Sequence, residues 1–263
     1  MIEYKPIRKT AFMFYKNCPK QFWYFYNDEI AYKGYKEASR DQALVYGTAF
    51  HLAADEFFKH VVLEPCDKPL DDGVNPFRKY LPINTPIDKW YDWFADYEYK
   101  RYEKLWKDGN AEYYKPIATE LFVQMPDVID RSGHIDRIDV IPGTQNLQIV
   151  EYKTGRSYNM DKEQVVTKMN AEIGFYVQIL NSIKQFPTYK ITEWKVINPT
   201  LEKSWVNTIS PITLRSVDQA YNALIQEVFN KGPFERNVTL LCRYCPYVSD
   251  CLYSNDYEKI VVD

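Results

Sequence analysis

Along the chain the spacing of apolar residues changes period several times, and each change marks an element. Residues 10–28, TAFMFYKNCPKQFWYFYND, carry dense aromatics on both sides of Cys18-Pro19, which predicts a short helix, a break, and a second helix begun by Pro19. Residues 41–62, DQALVYGTAFHLAADEFFKHVV, hold a helical period throughout, with Gly47 as the weak point. Residues 65–86 are rich in Pro, Asp, Gly and Asn and read as a long irregular connection. The helical period returns at 87–114, ending near Gly109-Asn110, and residues 60–115 together are expected to form a helical insert.

From residue 117 to 156 the period falls to two. ATELFVQM, SGHIDRIDVI and LQIVEYKTG are separated by the turn-forming PDVIDR and PGTQN, which predicts consecutive antiparallel strands. After an irregular YNMDKEQ, residues 166–183 read as a helix, KITEWKVINPT (190–200) as a strand and 216–230 as a helix, before a closing cysteine-containing loop. Alternation puts His134 and Asp136 on one face of their strand, and Glu151 and Lys153 on one face of theirs. With no internal repeat or low-complexity tract, residues 1–263 are expected to form a single domain.

Composition narrows the class. Aromatics are 16% and charged residues 26% of 263, so the chain is not disordered. The formal charge of −3 excludes a protein that holds nucleic acid by bulk positive charge, and leaves a local groove open. No long apolar span or targeting leader is evident, so a soluble intracellular or cytoplasmic protein with no membrane partner is expected. In that reducing setting the five cysteines are thiols or metal ligands.

The acids in the strand segments carry the candidate chemistry. Two carboxylates, Asp136 and Glu151, can bind Mg or Mn through oxygen, and an ion there suits phosphodiester hydrolysis. Lys153 would share the pocket in an electrostatic role. The plainer alternative is a cross-strand Asp136–Lys153 ion pair with Glu151 in solvent. Arg156 can contact a phosphate, Gly155 permits a tight turn, and His134 and Asp139 are weaker candidates for the same site. LCRYCPYVSDC brings Cys242, Cys245 and Cys251 close in sequence, with Cys18 as the candidate fourth ligand of zinc or an iron-sulfur cluster; Cys66 matches no ligand position.

Gly133 before Asp136, and IVEYK followed by TGR, resemble the RecB-like branch of the PD-(D/E)XK nuclease superfamily. The resemblance implies an α/β fold: a restriction-endonuclease-like core with a central mixed sheet flanked by helices, plus a helical insert. His51, in Gly47-Thr48-Ala49-Phe50-His51, would be a metal ligand with Asp136 and Glu151, and Glu120 occupies an acidic position near the site. Glu172 and Tyr176 stand where the family has a Q-x-x-x-Y pattern, so an acid replaces the usual Gln. The cysteine pattern is similar to the iron-sulfur subgroup, which includes CRISPR-associated exonucleases and AddB-type nuclease domains. There Cys18, Cys242, Cys245 and Cys251 would ligate a 4Fe-4S cluster, a clasp joining residue 18 to residues 239–252.

The expected activity is a Mg- or Mn-dependent exonuclease or end-trimming nuclease on single-stranded or frayed DNA, in recombination, repair or CRISPR spacer acquisition, with integration or recombination proteins as partners. The alternatives are a silent DNA-binding or partner-holding protein of the same fold, and a zinc-stapled structural protein. The row Trp90, Tyr91, Trp93, Phe94, Tyr97 and Tyr99, with Lys100, Arg101 and Lys104, either packs as core or stacks bases and holds phosphates of a single strand.

Overall fold

The computed structural model describes residues 4–26, 42–66, 75–239, 242 and 245–251. Parts of the expected connection (67–74) and of the cysteine segment (240–241, 243–244 and 252) lie outside the described residues. The two predicted N-terminal helices are present as α1 (Lys9–Asn17) and α2 (Pro19–Tyr26), broken at Cys18, whose backbone is extended. The 41–62 stretch is α3 (Gln42–His60), and the aromatic stretch is α4 (Asp88–Lys107). Among the described residues no helix is long and apolar enough to cross a membrane.

Among the described residues six strands form one mixed sheet: β1 (Ile7–Arg8), β2 (Ala118–Met125), β3 (Arg131–Val140), β4 (Asn146–Tyr152), β5 (Lys190–Asn198) and β6 (Lys203–Thr208). The order is β1-β3-β4-β5-β6, with β2 on the other flank of β3. β2, β3 and β4 pair antiparallel in succession as their turns predict, whereas β4 and β5 are parallel across the crossover helix α5 (Lys162–Ile183). The edge strand β6 and the two-residue β1 escape the apolar pattern, because one is half exposed along its length and the other is too short to show a period.

Two helices start earlier than their apolar period does. α5 begins at Lys162, within the stretch expected to be irregular, because Asp161 and Gln164 form a reciprocal capping box. Helix α6 (Pro211–Phe229) begins five residues ahead of expectation, with the Ser210 side chain accepting from the Thr213 N–H and Pro211 in the first turn.

The sheet is covered on both faces. One face packs α1, α5 and α6 through Phe12, Ile135, Ile149, Phe175, Trp194 and Tyr221. The other packs α3 and α4 against Val150, Tyr152 and Ile197. Of the aromatic row on α4, Tyr91 and Phe94 are core residues of this second layer. Phe94 sits edge-on to Phe50, Phe57 and Tyr152. α4 thereby holds α3 against the sheet.

Candidate active site

β3 and β4 pair only from Arg137–Val150 outward, and beyond that point they separate. β1 pairs with the far end of the same flank, at Arg131 and Ser132. Residues 133–136 of β3 therefore face a gap, and the N–H of Tyr152, without a β3 carbonyl to donate to, donates instead to an Asp136 carboxylate oxygen at 2.7 Å. This backbone bond aims the second Asp136 oxygen into the gap.

α3 delivers His51 to that oxygen, with Nδ1 3.2 Å from Asp136 and 3.8 Å from Glu120. The close approach depends on Gly47, where a Cβ would lie 3.0 Å from the Thr154 hydroxyl. Glu120 reaches the site from β2 with φ at 45°, a left-handed conformation costly for a glutamate. Ligand atoms of His51, Glu120 and Asp136 all fall within 4.8 Å of one another. Glu151 is 2% exposed, and its Oε1 has no hydrogen-bond partner. An orphaned buried carboxylate oxygen beside an imidazole and two more carboxylates is a donor set that fits a divalent cation.

The charges agree with that reading. Burial pushes the Glu151 carboxyl up to about 7, and the neighbouring Asp136 charge adds to it. Burial also disfavours ionised Asp136, but the His51 hydrogen bond and charge, Lys153 and the Tyr152 N–H outweigh it and hold its pKa below the usual range. Burial opposes a charged His51, yet the hydrogen bond and charge of Asp136 raise its pKa. The site concentrates negative charge that a cation would neutralise.

Lys153, just past the end of β4, donates to Glu151 at 2.8 Å and to Glu172 at 2.6 Å. Burial alone would discharge it, but those two carboxylates hold its pKa well above that of an ordinary lysine. It acts as a fixed positive charge. The plainer alternative of a direct Asp136–Lys153 pair with Glu151 in solvent is not the arrangement found. Glu172 also pairs with Lys9 of α1, and burial is overcome by the two lysines, so its pKa falls. Lys9 is the residue that sequence reasoning missed: RKTAF contains no feature that ties it to an acid 163 positions away.

Tyr176 donates its hydroxyl to the His134 carbonyl. Its ring lies over Gly133, where a Cβ would stand 2.7 Å from the Tyr176 Cε1. His134 itself is exposed and packs against the Phe122 ring at 4.9 Å. Gly133, His134 and Tyr176, with Arg8 at the end of β1 and Lys9 and Thr10 at the start of α1, line an open cavity of about 630 Å³ together with His51, Glu120, Asp136, Glu151 and Lys153.

Arg156 and Asp139 lie outside this cavity, whereas Gly155 lines it. Arg156 is exposed in a short 3-10 turn outside the cavity lining. Gly155 has φ of −76°, so its turn needs no left-handed residue. Asp139 lies on the opposite face of β3 in a buried charge network. There Arg137, fully buried, donates to Asp139 at 2.8 Å, to Glu98 of α4 at 2.7 Å and to the Tyr152 hydroxyl at 3.2 Å. Arg101 joins Glu98 at 2.9 Å and Asp139 at 3.1 Å.

At the other end of α1, Cys18 accepts a 3.4 Å bond from the Asn237 N–H, and Cys242 accepts one of the same length from Thr239. Cys245 and Cys251 pack beside the stacked Tyr24 and Tyr247. Burial raises the Cys245 thiol, and the charges of Cys251, Cys18 and Cys242 add to the rise. None of the five cysteines is in a disulfide, and Cys66 lies apart, beside Tyr99 and Tyr102.

The chain belongs to the PD-(D/E)XK nuclease superfamily, whose family profile matches residues 10–252. Its fold is similar to that of SSO0001, with a TM-score of 0.50 and 12% identity over 96% of this chain and 88% of that one. A Eubacterium rectale protein named as an exonuclease candidate has a TM-score of 0.49 and 10% identity over 91% of this chain and 88% of its own. No curated protein matches the chain.

Proposed function

We propose that the protein is a divalent-metal-dependent deoxyribonuclease that trims single-stranded or frayed DNA ends. The observation that carries this reading is the cluster of His51, Glu120 and Asp136 in a cavity also lined by Glu151, which has an orphaned buried oxygen, next to a lysine held charged. His51, Glu120, Asp136 and Glu151 would hold Mg or Mn, which when bound supplies positive charge against phosphate oxygens and acidifies a nearby water.

The remaining work belongs to the chain. Lys153 keeps its proton and would offer its charge to the phosphorane, lowering the barrier electrostatically. Glu172 and Lys9 fix the Lys153 ammonium, so it needs no reorientation when substrate arrives. The acid at the position where the family has Gln is thus neutralised by two lysines and does not present a bare charge to DNA. Arg8 and exposed His134 line the mouth, within reach of a strand backbone.

We also propose that Cys18, Cys242, Cys245 and Cys251 hold a structural 4Fe-4S cluster. The N–H to sulfur bonds at Cys18 and Cys242 and the charge coupling among the four thiols support a shared site.

The test is cleavage of end-labelled single-stranded and duplex DNA by anaerobically purified protein, with Mg or Mn against EDTA, alongside Lys153→Ala and Asp136→Ala. Shortening that needs the metal and is lost in both variants, with the iron chromophore unchanged, is the expected result. Undiminished metal-dependent cleavage by either variant refutes the site. No cleavage by wild type with an intact chromophore leaves a DNA-holding protein of this fold.

A further inference from the structure

A second cavity, of about 590 Å³, opens between α4 and the outer part of the sheet, on the face opposite α5. Lys100 and Lys104, one helical turn apart on α4, and Lys195 of β5 all line it. Among the described residues none of the three has an ion-pair or hydrogen-bond partner, whereas Lys59, Lys107 and Lys153 are all paired. The acids nearby are engaged or peripheral: Asp139 is held by Arg137 and Arg101, Glu193 accepts from Gln148 at 2.9 Å, and Asp108 is exposed.

Lys195 is the most constrained of the three. It projects from a central position on β5, opposite Val150 and Val206 in the ladders. Burial and the Arg137 charge push its pKa down to about 8, against the pull of Asp139. A partly desolvated ammonium without a partner is a cost to folding that an incoming anion removes.

We infer that this cavity binds a phosphate group carried by a nucleotide or a nucleic-acid strand, at a place distinct from the Asp136 cavity. Three ammonium groups offer more donors than one carboxylate accepts, and a phosphate, with three or four acceptor oxygens and up to two charges, satisfies them together. Tyr97 and Tyr113 on the wall supply aromatic surface against which a base can lie. The volume suits a ligand of nucleotide size. Arg137 links the two cavities physically, since it touches Asp139 on this side and the Tyr152 hydroxyl behind the first.

The experiment is trace acetylation of the intact protein read lysine by lysine by mass spectrometry, in EDTA so that no cleavage occurs. Its arms are inorganic phosphate, a deoxynucleoside 5′-monophosphate and a ten-nucleotide single strand. A ligand at ten times its Kd leaves about one site in eleven free, so modification of Lys195 and Lys104 should slow about ten-fold. Lys107, outside the cavity, should be unaffected. Protection by phosphate and mononucleotide assigns a small-molecule site; protection by the oligonucleotide alone assigns a strand path; either supports the inference.

No protection in any arm overturns it. The Lys100→Glu/Lys104→Glu variant, altered only at exposed positions, should lose the protection of Lys195; equal protection there also overturns it. The readout does not depend on cleavage, so it stands or falls separately from nuclease activity.

Discussion

Replacing Arg137 with Met tests the buried network behind the site. The guanidinium is fully buried and bonded to Glu98, Asp139 and Tyr152; Met keeps most of the volume and removes the charge. Glu98 and Asp139 would then keep Arg101 as the one cation bonded to both, leaving one net negative charge in that bonded network. Breaking one member of such a cluster costs about 3–5 kcal/mol. For a domain of this size that lowers Tm by roughly 6–20 °C. Urea unfolding followed by tryptophan fluorescence measures it directly.

The double variant Glu98→Gln/Arg137→Met restores neutrality and should recover about 1–2 kcal/mol of the loss. The pH dependence has a definite sign. Burial pushes the Glu98 and Asp139 carboxyls up, but the two arginines outweigh it and hold both below their ordinary range. Their stabilisation is therefore present above the unfolded carboxylate pKa of about 4 and is lost as pH falls through the folded values. The deficit of Arg137→Met should be full at neutral pH and shrink in acid. A deficit below about 1 kcal/mol, or a double variant no better than the single, would refute the reasoning.

The remaining predictions concern the site itself. Gly133→Ala places a Cβ 2.7 Å from the Tyr176 ring and should cost about 1–3 kcal/mol by overpacking; in a Tyr176→Ala background the same change should cost little, and an equal cost in both would show that the ring is not what Gly133 accommodates. Mn at one hundred times its Kd should stabilise wild type by about 2.7 kcal/mol and leave Asp136→Asn unshifted in a thermal melt; an equal shift in the variant would place the ion elsewhere. Substituting Cys245 by Ser should abolish the iron absorbance and lower Tm, whereas Cys66→Ser should do neither; retained absorbance in Cys245→Ser removes Cys245 from the ligand set.

The central part of the fold was legible because β2, β3 and β4 have a clean period of two between turn-forming segments. The early starts of α5 and α6 were not read, because their first turns are polar and set by caps, although Asp161-x-x-Gln164 and Ser210-Pro211 are visible in the sequence. Asp136, Glu151, Lys153 and His51 stood out as charged or ligating types in patterned surroundings, and they line one cavity. Lys9 and Arg137 did not, since each owes its role to partners brought near only by folding: Glu172 on α5 and Glu98 on α4. Arg137 was hidden further by lying in a run of alternating residues, where a charged side chain reads as solvent-facing until the opposite layer supplies its acids.

The left-handed backbone at Glu120 sets stability against chemistry within one residue. Glycine or asparagine would occupy that conformation with less strain, by roughly 1 kcal/mol or more, and neither carries a carboxylate. A laboratory population selected only for heat resistance should therefore drift toward Gly or Asn at position 120, while one selected for the proposed nuclease activity should keep the acid. The frequency of glutamate at that position after several rounds would measure how much folding free energy the organism gives up to retain the site.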